Sequence, residues 1–281
     1  MQINFIKMNG AGNDFVVIDA RKNDISLSAE QVRALSARDN VATKGCDQLL
    51  VLEPSTKADV FMRIYNADGG QVDACGNATR CIADMLYKEL GRLPVTIQTN
   101  VAVLCGVEQG SSEGKNYIMV DMGEPKFGWQ DIPLSMPIEE ATKKLEEFSG
   151  LENPIFVSMG NPHVVFFMDE LPTDEAVSEI GKKIEHFTEV FPQRVNVSFA
   201  KTHKDFVIFA KTWERGAGLT KACGTGACAM IAATKQHKIK MENAFVKFIS
   251  YEQMVSVAIG ENNHILLGGA VEVEFEGVAE I

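Results

Sequence analysis

The sequence predicts an α/β (α+β) protein of two pseudo-symmetric domains, each a mixed sheet wrapped around a central helix with a cysteine at its N-terminus. Three observations carry this. First, sliding the 281-residue chain on itself by 148 positions superposes its polar features without a gap. Gly12-Asn13 falls on Gly160-Asn161, Val16-Val17 on Val164-Val165, Gln48 on Asn196, Asn66 on Glu214, and Ala74-Cys75-Gly76-Asn77 on Ala222-Cys223-Gly224-Thr225. An internal repeat of this length means two similar domains rather than a solenoid, whose repeats run about 20–50 residues. Second, strand-like and helix-like segments recur in the same order in both halves. Third, the segments that follow the two cysteines are apolar nearly all round, and such a helix must be buried on most sides. The expected domains are residues 1–122, joined by 269–281, and residues 123–268.

Each element has its own signal. "NFIKMNG" and "FVVID" alternate as a hairpin of strands. "SAEQVRALSAR" opens on Ser28 as an N-cap and is amphipathic at helical spacing. "DVFMRIYN" is a strand that leads towards Cys75. The helix after it carries Cys81, Ile82, Ala83, Met85, Leu86 and Leu90, has few charges until its end, and stops at Gly91, a C-cap. "DMGEPKFGWQDIPLSMP" is rich in Gly and Pro and reads as a linker. Then the series repeats: "IFVSMGN" and "HVVFFMD" as the hairpin, "TDEAVSEIGKKIEHF" as the amphipathic helix, and "FVIFAKTWE" as the strand towards Cys223. After Thr225 come Gly, Ala, Cys, Ala, Met, Ile, Ala and Ala, with no polar face.

Composition bounds the function. Apolar content of 46% and charged content of 23% belong to a soluble globular protein with a real core. A net charge of −11 does not favour nucleic acid or an anionic membrane as partner. No apolar run reaches the roughly 18 residues of a membrane helix. No secretory signal is visible at the N-terminus, and the expected location is the cytoplasm. The six cysteines form no Cys-x-x-Cys pair and no zinc-type cluster, so neither a metal nor a disulfide framework is expected. Cys81, Cys105 and Cys228 read as small buried hydrophobes.

Cys75 and Cys223 ask for more. The first N–H groups of a helix lack internal partners and carry partial positive charge. They stabilise a thiolate, which lowers the expected pKa of a cysteine placed there, and they also bind carboxylates. One such cysteine suggests a nucleophile. Two, on duplicated domains, suggest an acid and a base on opposite faces of one carbon, exchanging roles with the direction of reaction. Helix N-termini aimed at a substrate carboxylate would stabilise charge as its α-carbon becomes carbanionic. Gly224-Thr225-Gly226 also fits a loose dinucleotide fingerprint. However, a ten-residue loop separates strand from helix, and the first copy lacks the second glycine.

With these residues in view, the sequence resembles the diaminopimelate epimerases. The matching stretches are "MNGAGNDFVVID", "GCDQLL", "YNADGGQVDACGNATRC", "GNPHVV", "RVNVSF" and "WERGAGLTKACGTGACA". The resemblance implies a cofactor-independent amino-acid epimerase interconverting LL- and meso-diaminopimelate, with neither pyridoxal phosphate nor metal, in lysine and peptidoglycan precursor synthesis. It implies Cys75 and Cys223 as proton donor and acceptor, and His163 and Glu214 as residues that assist the chemistry. Gly76-Asn77 and Gly224-Thr225 match the cradle for the reacting carboxylate. Asn13, Gln48, Asn66, Asn161 and Asn196 match substrate-binding amides, and Glu214-Arg215 the pair that reads the distal amino-acid end. A planar guanidinium suits a carboxylate, and a carboxylate accepts from an ammonium.

The usual Cys-Gly-Asn-Gly-Ala-Arg-Cys is here Cys-Gly-Asn-Ala-Thr-Arg-Cys, and Phe275 stands where the family often has a tyrosine near its dimer contact. A homodimer is the expected assembly. Proline or hydroxyproline racemases share the two-thiol logic but typically place histidine after the first Cys-Gly, where this chain has Asn77. A thiol redox switch is the alternative from another class.

Overall fold

The computed structural model describes residues 2–23, 25–73, 75–112, 115–237, 239 and 241–280. Ala74, aligned with Ala222 above, lies outside the described residues. The chain folds as two compact units, Met1–Asp121 with Gly268–Ile281 and Met122–Leu267. Along the chain, β1 (Gln2–Gly10), β2 (Asn13–Asp19), α1 (Ala29–Ser36), β3 (Gln48–Glu53), β4 (Val60–Asn66) and a short β5 (Gln71–Val72) precede α2 (Gly76–Leu90). β6 (Val95–Gln98), β7 (Val103–Ser112) and β8 (Lys115–Asp121) follow. The second unit runs α3 (Ile138–Ser149), β9 (Ile155–Ser158), β10 (Pro162–Phe167), α4 (Asp174–Glu185), β11 (Asn196–His203), β12 (Val207–Glu214), a short β13 (Gly218–Leu219), α5 (Gly224–Thr234), β14 (Asn243–Phe248) and β15 (Gln253–Ile259). The last strand is β16 (Ile265–Glu280).

In the first unit the strand order is β1-β2-β3-β4-β6-β7-β8-β16, and β16 also pairs β1, so the strands close on themselves. α2 packs against β1, β6, β7 and β8, and every residue from Gly76 to Asp84 is buried. In the second unit the order β15-β14-β12-β11-β10-β9 forms a sheet with α5 packed on β9, β10, β11, β14 and β15. All of α5 but Thr225 is buried, as an all-apolar helix must be. Burial of a side chain such as Met230 or Ile231 contributes roughly 1.5–3 kcal/mol.

The local signals explain the element ends. Ser28 and Gln31 form a reciprocal capping box at α1, and Thr173 caps α4. Gly91 ends α2 in the left-handed region, its N–H returning to Tyr87. The linker is tied down by a bridge between Lys126 and Ser158. α3 was not among the expected elements. It buries Ala141 and Leu145, which are four residues apart and so share one face.

Strand alternation then decides which residues meet the central helices. On β10 and β11, Val164, Phe166, Val197 and Phe199 pack with Val177 and Ile184 of α4. Their neighbours His163 and Asn196, paired across β10 and β11, therefore lie on the opposite, α5-facing side. In the first unit Val16, Ile18, Leu49 and Val51 pack with Val32 and Leu35 of α1, which leaves Phe15 and its register partner Gln48 on the other side. Gly10 is needed where β1 meets the start of α2: a Cβ there would stand 3.0 Å from the Asn77 carbonyl oxygen.

Candidate active site

Each unit carries part of the expected residue set, six residues in the first and eight in the second. In the first, Cys75 is the N-cap of α2 in extended backbone (φ −148°), with no side-chain cap bond. Its thiol is half-buried. Its carbonyl accepts from both the N–H and the hydroxyl of Thr79 at 2.9 Å. Asn77 donates to Asn13 Oδ1 at 3.4 Å, Asn13 donates to Asp47 Oδ2 at 2.9 Å, and Arg80 donates to Asn77 Oδ1 at 2.9 Å. A cation at one end and a carboxylate at the other fix the direction of both amides. Gln48 donates to Asn66 Oδ1 at 3.1 Å across the β3–β4 register. The first unit thus joins Asn13 to Asn77 and Gln48 to Asn66, with Cys75 beside the first pair in sequence.

The second unit repeats the plan with different chemistry. Asn161 donates to Thr225 Oγ1 at 3.2 Å, the exact positional counterpart of Asn13 with Asn77. That direction leaves Asn161 Oδ1 as an acceptor, so at 2.9 Å His163 Nε2 carries the proton. His163 is fully buried, and burial lowers its pKa to about 3, with the Arg215 charge adding to the effect. It is a neutral imidazole at ordinary pH. Its Nδ1 has no hydrogen-bond partner among the described residues.

Cys223 is the N-cap of α5 and its sulfur accepts from the Gly226 N–H at 3.2 Å. Thr225 Oγ1 lies 3.6 Å from the same sulfur. Glu214 accepts from Thr220 Oγ1 and also bonds the Cys223 thiol. Asn196 accepts from the Arg215 N–H at 2.9 Å and donates to the Pro162 carbonyl at 3.0 Å. The Arg215 guanidinium is exposed and donates to the Gln193 carbonyl at 2.9 Å.

One expectation is overturned for Cys223. A thiol at a helix start should have a lowered pKa, and the Gly226 N–H does act in that direction. Burial outweighs it, with the Glu214 carboxylate adding to the rise, so the Cys223 thiol is pushed well up. Burial likewise raises the Glu214 carboxyl. Among the cysteines read as buried hydrophobes, Cys81 and Cys228 are fully buried, while Cys105 is only half-buried. Phe275 packs edge-on against Phe5, with the Lys44 ammonium over its ring.

Sequence reasoning missed several supporting groups. Asp47, which orients Asn13, stood inside the quoted "GCDQLL" stretch beside Gln48. Thr220, which holds Glu214, lies six residues downstream in a loop without periodicity. Ser198 and Thr212, hydrogen-bonded to one another at 3.1 Å, are polar positions on the buried face of β11 and β12. The signal for that pair was two hydroxyls at strand positions due for apolar residues.

A relative from Acidiphilium cryptum, named diaminopimelate epimerase, is 40% identical over 273 residues, covering 97% of this chain and 95% of its own. Among solved structures, a phenazine biosynthesis protein of the PhzF family from Bacillus anthracis superposes with a TM-score of 0.66 at 19% identity, covering all of both chains. A hydroxyproline epimerase from Agrobacterium vitis gives 0.65 at 13% identity, over 100% of this chain and 91% of its own. These two show a common fold. The sequence model described as "Diaminopimelate epimerase" matches residues 5–128 and 155–274, nearly the whole chain, and the chain therefore belongs to the diaminopimelate epimerase family.

Proposed function

We propose that this chain interconverts LL- and meso-diaminopimelate by proton removal at the α-carbon by one thiol and proton return by the other. The observation that carries the reading is the duplicated helix start: a cysteine N-cap, a glycine next, and a polar side chain held by an asparagine from the preceding strand pair. A single copy would be a helix end. Two copies in an epimerase family supply an acid and a base.

The roles follow from the chemistry of each half. N–H groups at the starts of α2 and α5 receive the carboxylate of the reacting centre and stabilise charge as the α-carbon loses its proton. Cys223, whose thiol is pushed well up, rests protonated and acts as the acid of that state. Cys75 is then the base, and the reverse reaction exchanges the two. In the direction where Cys223 must act as base, Glu214, bonded to its thiol, takes up the thiol proton and later returns it. His163, neutral and donating to Asn161, orients the amide that holds Thr225. Asn13, Gln48, Asn66 and Asn196 supply neutral hydrogen bonds to the substrate, and Arg215 pairs with its distal carboxylate. A cytoplasmic homodimer is the setting we propose, and light scattering on the purified protein reads the second point, a monomer mass contradicting it.

The test is exchange of the α-proton in deuterated water. Purified protein should exchange and epimerise diaminopimelate and leave proline untouched. Exchange of proline alone would assign a racemase. Exchange of neither, with reversible thiol oxidation, would assign a redox switch.

A further inference from the structure

We propose that Glu185, at the end of α4, is a positioning residue that clamps the Glu214-Arg215 turn and so sets the geometry of distal substrate recognition. Glu185 is 2% exposed. A carboxylate so buried is costly unless donors surround it. Three do. Trp213 Nε1 donates to Oε2 at 2.7 Å, the Gly216 N–H to Oε1 at 2.9 Å, and Arg194 Nη1 approaches Oε1 at 3.4 Å. Trp213 and Gly216 are the residues on either side of Glu214-Arg215. One carboxylate therefore spans both ends of the pair, an oxygen to each end.

The rest of the turn is held by other groups. The Arg215 N–H is taken by Asn196, and its guanidinium rests on the Gln193 carbonyl. The packing of α4 is arranged for this contact. Gly181 lies one helical turn before Glu185, on the same face. A Cβ there would come within 2.5 Å of Trp213 Cβ, so only glycine lets the helix approach closely enough for Glu185 to reach the indole. The carboxyl group is also the group required. A glutamine would offer one oxygen and one NH2, and its NH2 would face either the indole N–H or the Gly216 N–H, donor against donor. Position 185 aligns with Ala37 in the first unit, where the residues matching Glu214-Arg215 are Asn66-Ala67.

This inference rests on Arg215 as the partner of the distal carboxylate, and the experiment separates the two. Steady-state kinetics on diaminopimelate would compare Glu185→Gln, Arg215→Met, the double variant and Glu185→Asp, with thermal melting as the measure of stability. Leaving a buried donor unsatisfied should raise KM about tenfold in Glu185→Gln while kcat stays within about threefold. The aspartate variant should recover part of the loss, and the double variant should be no worse than Arg215→Met alone, because the two act through one contact. An unchanged KM in Glu185→Gln, or losses that simply add, overturns the proposal while leaving the role of Arg215 intact. Normal kinetics in Arg215→Met overturn that role and this proposal together. Should Glu185→Gln fail to fold, Trp213→Phe removes the indole donor but keeps the ring, and it must raise KM in the same direction.

Discussion

The two halves repeat one backbone plan but fill it with different chemistry. In the first, Asn13 meets Asn77, Phe15 stands on the strand behind, and the turn after β4 opens on the neutral pair Asn66-Ala67. In the second, Asn161 meets Thr225, His163 takes the place of Phe15, and Glu214-Arg215 takes the place of Asn66-Ala67. The thiols differ accordingly. Cys223 is buried, caps its helix and touches Glu214, whereas Cys75 is half-buried and makes no cap bond. Duplication preserved the element that a two-sided proton transfer needs twice, the cysteine at a helix start. The surroundings diverged, and on the reading proposed above the second half carries the pair, Glu214-Arg215, that meets the end of the substrate that does not react.

The largest expected effect comes from removing either member of the shared element. Cys75→Ala and Cys223→Ala should each lower epimerisation by about a thousandfold or more, since one acid or base is lost outright. Serine at either position should leave a weak enzyme. Near-normal turnover by either alanine variant would break the equivalence of the two halves.

Next is the element the halves do not share. Arg215→Met should lower kcat/KM about a hundredfold, the scale for truncating one partner of a bonded charge pair. Ala67→Arg, placing a guanidinium at the matching position of the first unit, should not restore it. Rescue would mean that the two turns are interchangeable.

How much of this was legible beforehand follows the range of the interactions. The hairpins, the two amphipathic helices and the two central helices were readable because their signals are local: alternation, Ser28 as a cap, Gly91 as a stop. The paired asparagines were readable as residues because the repeat aligned them, but the partners Asp47, Thr220 and Glu185 act across loops or between elements and leave no periodic trace. The thiol pKa of Cys223 was misjudged for the same reason. The sequence displays the helix start that lowers it, while the burial and the Glu214 carboxylate that raise it come from tertiary packing.

A smaller effect sharpens the contrast between the thiols. At pH 7–8 an alkylating reagent should modify Cys75 about tenfold faster than Cys223, because a buried thiol held protonated is a poor nucleophile. Peptide mapping at partial modification reads this directly, and equal rates would contradict the asymmetry.

A last contrast concerns stability. His163 has a folded pKa of about 3 against an ordinary 6.5. Between those values the unfolded chain binds a proton that the folded chain does not, so this contribution to stability is fully present above about pH 6.5 and is lost as pH falls towards 3. His163→Phe, which installs the first unit's own residue, should flatten stability against pH across that window. Denaturant titrations at pH 4 and pH 7 measure it, and an unchanged slope would mean that His163 does not titrate on unfolding.

The central claim is that two thiols serve opposite faces of one α-carbon, and the fate of the hydrogen tests it most directly. LL-diaminopimelate would be incubated with the protein in deuterated water and sampled well before equilibrium. The account predicts that the meso product carries deuterium at the inverted centre while unreacted LL substrate retains its hydrogen, because the removed proton stays on one sulfur as the other delivers deuterium. Product that keeps the substrate's own hydrogen would mean that a single group serves both faces, and would contradict the account.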